Sequence, residues 1–190
     1  MKKELKKGTL LAPVPAVMVS CGSAEKPNII TIGWCGITNT QPPKTYISVR
    51  PERYSYPLIK ESGEFVINLV PRELAKKADY CGMYTGKKVD KFAKCALTPQ
   101  KSLYVSTPSI EECPISIECK VTDIIPLGSH DMFMADIVGV TANEKLMEGE
   151  KLCINRAHLC AYAHGEYYEL SSRIGKFGFS AKKKKPTNKK

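Results

Sequence analysis

The stretches PISIECKVTDIIPLG (residues 114–128) and DMFMADIVGVTANEKL (residues 131–146) follow each other with only two residues between them. In the first stretch every second residue is apolar, namely Ile115, Ile117, Cys119 and Val121. Alternation with a period of two is typical of a strand that buries one face. The intervening turn, GSHD, contains His130 and favours a tight hairpin. These residues therefore predict two long antiparallel strands.

Shorter runs of the same kind precede this hairpin, namely AVMVSCG (16–22), NIITIGWCG (28–36), KTYISVR (44–50) and EFVINLV (64–70). Helical patterns are fewer, and we expect short helices within residues 54–63, 72–82 and 89–97. Six strands in one open sheet would leave long unpaired edges, which proteins avoid. The pattern therefore predicts a mainly β fold, a closed or nearly closed antiparallel barrel with short helices in the connections.

The length of 190 residues favours one domain, and the charge is concentrated at the two ends of the chain. Residues 1–7 carry four lysines and one glutamate, and residues 181–190 carry six lysines, so the rest holds one unit of the net charge of +10. We therefore expect a basic N-terminal arm (1–9), a domain (10–180) and a flexible lysine-rich tail (181–190). No run approaches about 20 apolar residues, which predicts a cytoplasmic protein without a membrane partner.

The common motifs of metal centres and of nucleophilic enzymes are absent. The eight cysteines form no C-x-x-C pair and the three histidines are scattered, so we expect no metal site and reduced, partly buried thiols. The chain also lacks G-x-S-x-G, H-E-x-x-H, G-x-x-x-x-G-K-[ST] and a strand-linked G-x-G-x-x-G. Hydrolase and nucleoside triphosphatase functions therefore lose their main support.

Basic residues near two predicted helices are candidates for an anion site. Arg50 and Arg53 precede the helix predicted within 54–63, and Ser55 lies at its start, where unpaired N–H groups attract anions. An ordinary serine N-cap and two surface arginines explain this segment equally well. Lys91 can contact a phosphate as a point charge, although a solvated helix face is the simpler interpretation.

The only tryptophan, Trp34, lies in the sequence Gly-Trp-Cys-Gly at the end of the run 28–36. Glycine weakens the interior of a strand and often marks a bulge or a close approach of another group to the backbone. The residues alone therefore fit a neighbouring strand and a ligand about equally well.

Taken together and in order, these segments resemble the flavin reductase-like family of FMN-binding split barrels, and most closely its flavoredoxin-type branch. The segments that carry the resemblance are PNIITIGWCG, ISVRPERYSYPLIKESGEFVINL, GKKVDKFAK, LGSHDMFMADIVGV and GEYYELSSRIGKFGFS. The resemblance implies a six-stranded antiparallel split β-barrel with Greek-key character. It also implies a noncovalently bound FMN and a homodimer with the FMN near its interface.

The resemblance further implies which residues bind FMN, namely Asn28, Thr31, Trp34, Cys35, Ser48, Val49, Arg50, Ser55, Lys91 and His130. By this resemblance, Arg50 and Ser55 hold the phosphate of FMN, and Lys91 contacts either the phosphate or the flavin. His130 approaches the isoalloxazine or a nicotinamide. We expect no catalytic acid, base or nucleophile, because a flavin carries the chemistry itself and side chains such as His130 and Lys91 only tune it.

Two modes of electron transfer follow from the resemblance. One is an FMN-dependent oxidoreductase of the flavin reductase type that uses NADH or NADPH. The other is an electron carrier that exchanges electrons with a ferredoxin-like protein. The Gly-Asp-His turn of NADH-dependent flavin reductases reads Gly-Ser-His here, so both modes stay open. A nucleic-acid-binding barrel that uses the lysine-rich ends is disfavoured, and we expect no specific nucleic acid partner, because the body of the chain is nearly neutral.

Overall fold

The computed structural model of the protein describes residues 1–181. Its strands are β1 (Val14–Pro15), β2 (Val17–Gly22), β3 (Pro27–Ile32), β4 (Cys35–Thr40), β5 (Pro43–Val49), β6 (Glu64–Leu69), β7 (Pro99–Gln100), β8 (Ser109–Ile110), β9 (Ile115–Pro126), β10 (Asp131–Ala142), β11 (Met147–Glu148), β12 (Lys151–Leu152), β13 (Cys160–Ala163) and β14 (Glu166–Glu169). The α-helices are α1 (Ser55–Ser62), α2 (Ala75–Met83) and α3 (Lys91–Lys94). Single 3₁₀ turns span Arg72–Leu74, Glu144–Leu146, Ile154–Ala157 and Phe179–Ala181.

The N-terminal end of the chain lies outside the sheets. Residues 1–13 have no regular secondary structure and are exposed, which includes the predicted arm 1–9. The tail predicted at 181–190 lies outside the described residues, apart from Ala181. Within residues 1–181, no helix combines the length and apolar character that a membrane crossing would require.

The main sheet has seven antiparallel strands in the order β3-β2-β6-β9-β10-β5-β4. The predicted hairpin forms its centre, with Asp131 of β10 opposite Pro126 of β9 and Ala142 opposite Ile115. Two register shifts interrupt this ladder, and such irregularities bend a strand. The mainly β, antiparallel split-barrel class is therefore confirmed, but the predicted count of six strands is wrong.

The seventh strand arises because the run 28–36 is not one strand. β3 ends at Ile32, Gly33 and Trp34 form a turn, and β4 begins at Cys35. β3 and β4 are the two opposite edges of the sheet, so the chain passes from one edge to the other within two residues. The backbone N–H of Ser48 on β5 donates to the carbonyl oxygen of Trp34 at 2.8 Å. We call this junction of the two edges, residues 32–35, the seam.

Apolar side chains are buried on both faces of the sheet near β3. The barrel interior contains Phe65, Phe133 and Ile30, and the other face packs Met18 and Ile29 against α2 and α3. Successive residues of a strand point to opposite faces, so β3 contributes Ile29 to one core and Ile30 to the other. This double burial fixes the position of the edge strand at the seam.

The helices form where they were expected, with one difference. The α1 helix ends at Gly63, which has a φ of 65° and whose N–H bonds to the oxygen of Ile59 at 2.9 Å. The α2 helix continues one residue beyond the predicted 72–82, to Met83. Gly82 lies inside it, and an added Cβ there would approach the Cβ of Thr31 to 3.3 Å. The glycine thus permits close packing of α2 on β3.

Candidate functional site

A cavity of about 610 Å³ opens at the seam, and we call it the larger cavity to distinguish it from a neighbouring one of about 420 Å³. Its barrel-side wall is formed by the end of β3, the turn after it, the end of β5 and the turn between β9 and β10. Six of the residues predicted to bind FMN line this wall: Thr31, Trp34, Ser48, Val49, Arg50 and His130. This wall therefore brings together residues from three separate segments of the sequence.

Trp34 and His130 form the outer part of this wall. The Trp34 side chain is 47% exposed, and its ring centroid lies 6.3 Å from that of His130. The Nδ1 of His130 lies 2.9 Å from the hydroxyl oxygen of Ser129. Burial, and then the nearby charge of Arg50, lower the pKa of His130, which favours the neutral imidazole. A neutral imidazole can accept or donate a hydrogen bond to a bound ligand.

The sequence did not predict the remaining wall of the larger cavity. It consists of residues 9–12, of α2 with Asp79, and of the β13–β14 hairpin with Tyr162 and Tyr167. The two tyrosines are cross-strand partners with ring centroids 5.3 Å apart. Burial, and then Asp79, raise the pKa of Tyr167 to about 12. The short alternating run before and after His-Gly at 164–165 is the only local signal for this hairpin.

The smaller cavity, about 420 Å³, shares Ile30, Arg50 and Arg53 with the larger one. Arg50 and Arg53 are exposed at the common rim. The Arg53 guanidinium donates to the carbonyl oxygen of Gly82 at 3.2 Å. The two surface arginines therefore lie where they can contact a ligand that spans both cavities.

Lys91 lies in the wall of the smaller cavity and is only 3% exposed. Its ammonium donates to the carbonyl oxygens of Ile29 at 2.6 Å and Cys81 at 2.7 Å. An ammonium has three protons, so one remains for a ligand. Burial is the main cause that lowers the pKa of Lys91. The interpretation of Lys91 as part of a solvated helix face is therefore wrong.

Ser55 is the first residue of α1, lines the smaller cavity and is 2% exposed. Its hydroxyl oxygen accepts a hydrogen bond from Nδ2 of Asn28 at 2.8 Å. The N-cap position is occupied by Tyr54 and has no side-chain capping bond. The alternative that Ser55 is an ordinary N-cap is therefore wrong.

The segment after α2 completes the smaller cavity with Thr85 and Gly86, which were also missed. A Cβ at position 86 would lie 2.8 Å from the Cδ1 of Tyr54 and closer still to the amide of Asn28. Only glycine lets the backbone come this near, and glycines are used for close backbone approach at such sites. The sequence TG at 85–86 looks like an ordinary turn, so it gave no specific signal.

Two predicted residues do not line either cavity. Asn28 contacts two residues that line the smaller cavity, Ser55 by a hydrogen bond and Gly86 by close packing. Cys35 packs against the barrel core, and burial raises the pKa of its thiol to about 12. Trp34 and Cys35 are consecutive, so their side chains point to different sides of the backbone. The structure does not bring the Cys35 thiol to the wall that Trp34 forms.

The thiols of the chain are free, and all but Cys35 are buried. The sulfur atoms of Cys81 and Cys95 lie 4.0 Å apart in the cluster beneath α2 and α3. In the described part of the chain, no three His, Cys, Asp or Glu side chains are grouped closely enough to hold a metal ion.

Comparison with known proteins agrees with this geometry. A family model described as a flavin reductase like domain matches residues 10–171. The structure superimposes on the flavoredoxin of Desulfovibrio vulgaris (Miyazaki F) with a TM-score of 0.89, 34% identity and coverage of 96% of this chain and 100% of that chain.

Two sequence relatives add to this comparison. An uncharacterized protein of Archaeoglobus fulgidus is 34% identical over 140 residues, 74% of this chain and 78% of the relative. An NADPH-flavin oxidoreductase of Streptomyces viridifaciens is 23% identical over 140 residues, 72% of this chain and 70% of the relative. The chain thus belongs to the flavin reductase-like domain family, and its activity is that of a flavin-related oxidoreductase.

Proposed function

We propose that the protein binds FMN noncovalently, with the isoalloxazine ring in the larger cavity and the phosphate in the smaller one. The observation that carries this proposal is the buried ammonium of Lys91, which has a proton left for a ligand in the smaller cavity. A buried cation is costly unless an anion or strong acceptors compensate it. A phosphate oxygen at the third proton would provide that compensation.

The residues present fit an FMN molecule along its whole length. Beside the seam, the wall of the larger cavity offers Trp34 and Val49 to the ring, and the smaller cavity shares the rim arginines Arg50 and Arg53 with it. Gly86 lets the amide of Asn28 and the ring of Tyr54 pack against the backbone beside the smaller cavity. When bound, FMN supplies the redox chemistry by accepting electrons and passing them on. The residues of the chain bind and orient it, and the neutral imidazole of His130 provides a hydrogen-bonding group at the ring wall.

The direct test of FMN binding is the visible absorbance of the purified protein before and after addition of FMN. We expect the bands of oxidised flavin, and release of FMN on heat denaturation. A colourless protein that also takes up no added FMN contradicts the proposal.

For the source of electrons we propose NADH or NADPH, with a ferredoxin-like protein as the second candidate. The 34% identity to a flavoredoxin over nearly the whole chain supports the second candidate. Anaerobic mixing of the FMN-loaded protein with NADH, NADPH or a reduced ferredoxin separates them. Rapid loss of flavin absorbance with a pyridine nucleotide supports a reductase. Loss only with the reduced ferredoxin supports an electron carrier.

We also propose a homodimer with the FMN near its interface. Leu10, Leu11 and Trp34 line the larger cavity and are exposed apolar side chains. A second copy of the chain at this mouth would cover them, and exposed apolar patches commonly mark interaction sites. Light scattering after size exclusion tests this directly, and a monomer at micromolar concentration with FMN bound contradicts it.

A further inference from the structure

We propose that Cys81 and Cys95 are an oxidisable pair, a modification site at which hydrogen peroxide forms a disulfide beside the smaller cavity. The two residues are 14 positions apart in sequence, and their sulfur atoms lie 4.0 Å apart. Both thiols are free, so the structure describes the reduced form of the pair. The effect that we expect on FMN rests on the proposed function, whereas formation of the disulfide does not.

Two helices beside the smaller cavity hold the pair in contact. Cys81 belongs to α2 and lines the cavity, and Cys95 directly follows α3. The ammonium of Lys91 on α3 donates to the carbonyl oxygen of Cys81 at 2.7 Å, so the two helices are already bonded next to the sulfur atoms. Each sulfur has to move by about 1 Å to reach the S–S bond length of about 2 Å. The fold therefore brings the two thiols close to bonding distance.

The chain between the two cysteines is the segment that completes the smaller cavity. It contains Tyr84, Thr85, Gly86 and Lys91, all of which line that cavity. A disulfide would turn this segment into a closed covalent loop, and such closure restricts the conformations open to the chain. These lining residues would then be held in place before a ligand enters, which lowers the cost of ordering them on binding.

The surroundings of the two thiols decide which one reacts first. Cys81 is 0% exposed and Cys95 is 9% exposed. Burial is the main cause that raises the pKa of the Cys81 thiol to about 12, so this thiol keeps its proton at neutral pH. A thiolate is the reactive form of cysteine, and access favours its oxidation. The first attack on the peroxide therefore falls to Cys95.

The reaction balances with one hydrogen peroxide as the oxidant. The sulfur of Cys95 attacks one oxygen of the peroxide, the O–O bond breaks, and a sulfenic acid forms. The proton lost by Cys95 and the released hydroxide combine to water. The sulfur of Cys81 then attacks the sulfur of Cys95, and the S–O bond breaks. The proton of Cys81 leaves with the hydroxyl group as a second water. The two thiols lose two electrons, and the peroxide gains them.

Mass spectrometry of the peroxide-treated protein tests whether the disulfide forms. The FMN-free full chain is treated with hydrogen peroxide, its remaining thiols are blocked with N-ethylmaleimide, and it is digested with trypsin. Cleavage after lysine places the two cysteines in peptides 78–87 and 95–101. We expect these peptides to be linked in the wild type and in Cys113→Ala, but not in Cys95→Ala. Cys113 is the matched control because it is a buried thiol of the same cluster. Absence of the link, or a link of Cys81 mainly to another cysteine, overturns the proposal.

Titration of flavin fluorescence with reduced and oxidised protein measures the effect on the cavity. We expect the oxidised wild type to bind FMN about tenfold more tightly, because the closed loop removes part of the ordering cost. Cys95→Ala should bind FMN equally well before and after peroxide, and it controls for oxidation elsewhere, such as at the exposed Met83. Equal affinities of the reduced and oxidised wild type overturn the role of the disulfide at the cavity. A wild type that binds no FMN contradicts the proposed function, and the mass spectrum still decides whether the disulfide forms.

Discussion

The ammonium nitrogen of Lys91 lies 2.6 Å from the carbonyl oxygen of Ile29, so the buried cation of α3 is bonded directly to the edge strand β3. The next residue of that strand, Ile30, lines both cavities. One hydrogen bond therefore links the residue that we assign to the phosphate with the strand that forms the ring wall.

Replacement of Lys91 by methionine is expected to weaken FMN binding by about tenfold to a hundredfold, because one charge-assisted hydrogen bond of about 1.5–3 kcal/mol is lost. Riboflavin binding should change little. Lys94→Met is the control, since Lys94 lies on the same helix but is exposed. Titration of flavin fluorescence measures both, and equal effects of the two substitutions contradict the assignment of Lys91.

Replacement of Trp34 by alanine should change the flavin without unfolding the protein. Trp34 occupies an exposed turn, so we expect the free energy of unfolding of the FMN-free protein to change by less than about 1 kcal/mol. The visible spectrum and the affinity for both FMN and riboflavin should change, because the side chain lines the ring cavity. Urea unfolding and flavin titration check these two expectations. A large loss of stability would identify Trp34 as a structural residue instead.

Replacement of Gly86 by alanine should reduce FMN binding by about tenfold or more. The added Cβ would overlap with Tyr54 and Asn28, and overpacking of this kind typically costs about 1–3 kcal/mol. Gly8→Ala is the matched control, because a Cβ at position 8 meets no atom nearer than 3.9 Å. If Gly86→Ala binds FMN as tightly as the control, the close approach at this loop is not needed for the ligand.

The buried thiols predict a loss of stability in alkaline solution. Burial raises the pKa of Cys21 to about 11 and that of Cys119 to about 12, from an ordinary value of 9.0. Between pH 9 and 11 these thiols ionise in the unfolded chain but keep their protons in the folded one. The unfolded state then binds fewer protons, so the free energy of unfolding falls as the pH rises.

Urea unfolding as a function of pH tests this expectation. Cys119→Ala removes one of the shifted thiols, so its free energy of unfolding should fall less steeply above pH 9 than that of the wild type. The same slope in both proteins would show that Cys119 does not contribute. Below pH 8 the thiols are protonated in both states, and no difference in slope is expected there.

The sheet and its centre were predictable from the sequence because they depend on local alternation. Ile115 and Ile117 repeat at the period of a strand, and the turn at His130 separates two such runs. The break at Gly33 and Trp34 was not predictable in this way. The residues on both sides favour strands, and only pairing with distant partners decides that β3 and β4 belong to opposite edges.

The candidate site was predictable where a residue type carries its own chemistry, as for Arg50, Lys91 and His130. The positions of these residues relative to the cavities were not predictable, because burial and hydrogen bonding depend on tertiary contacts. Asn28 and Ser55 are 27 residues apart in sequence and bond through their side chains. Tyr167 and Asp79 come from a hairpin and a helix far apart in the chain, and neither carries a motif.

The seam has a consequence for the entropy of binding. The outermost strands of the sheet are joined by Gly33 and Trp34 alone, and the Ser48 N–H bonds to the oxygen of Trp34. The two-residue link keeps the two edges together before any ligand arrives, and the hydrogen bond from Ser48 extends the pairing of β5 with β4 up to this link. A flavin ring bound there as proposed would not have to close the barrel, which lowers the cost of ordering the protein on binding.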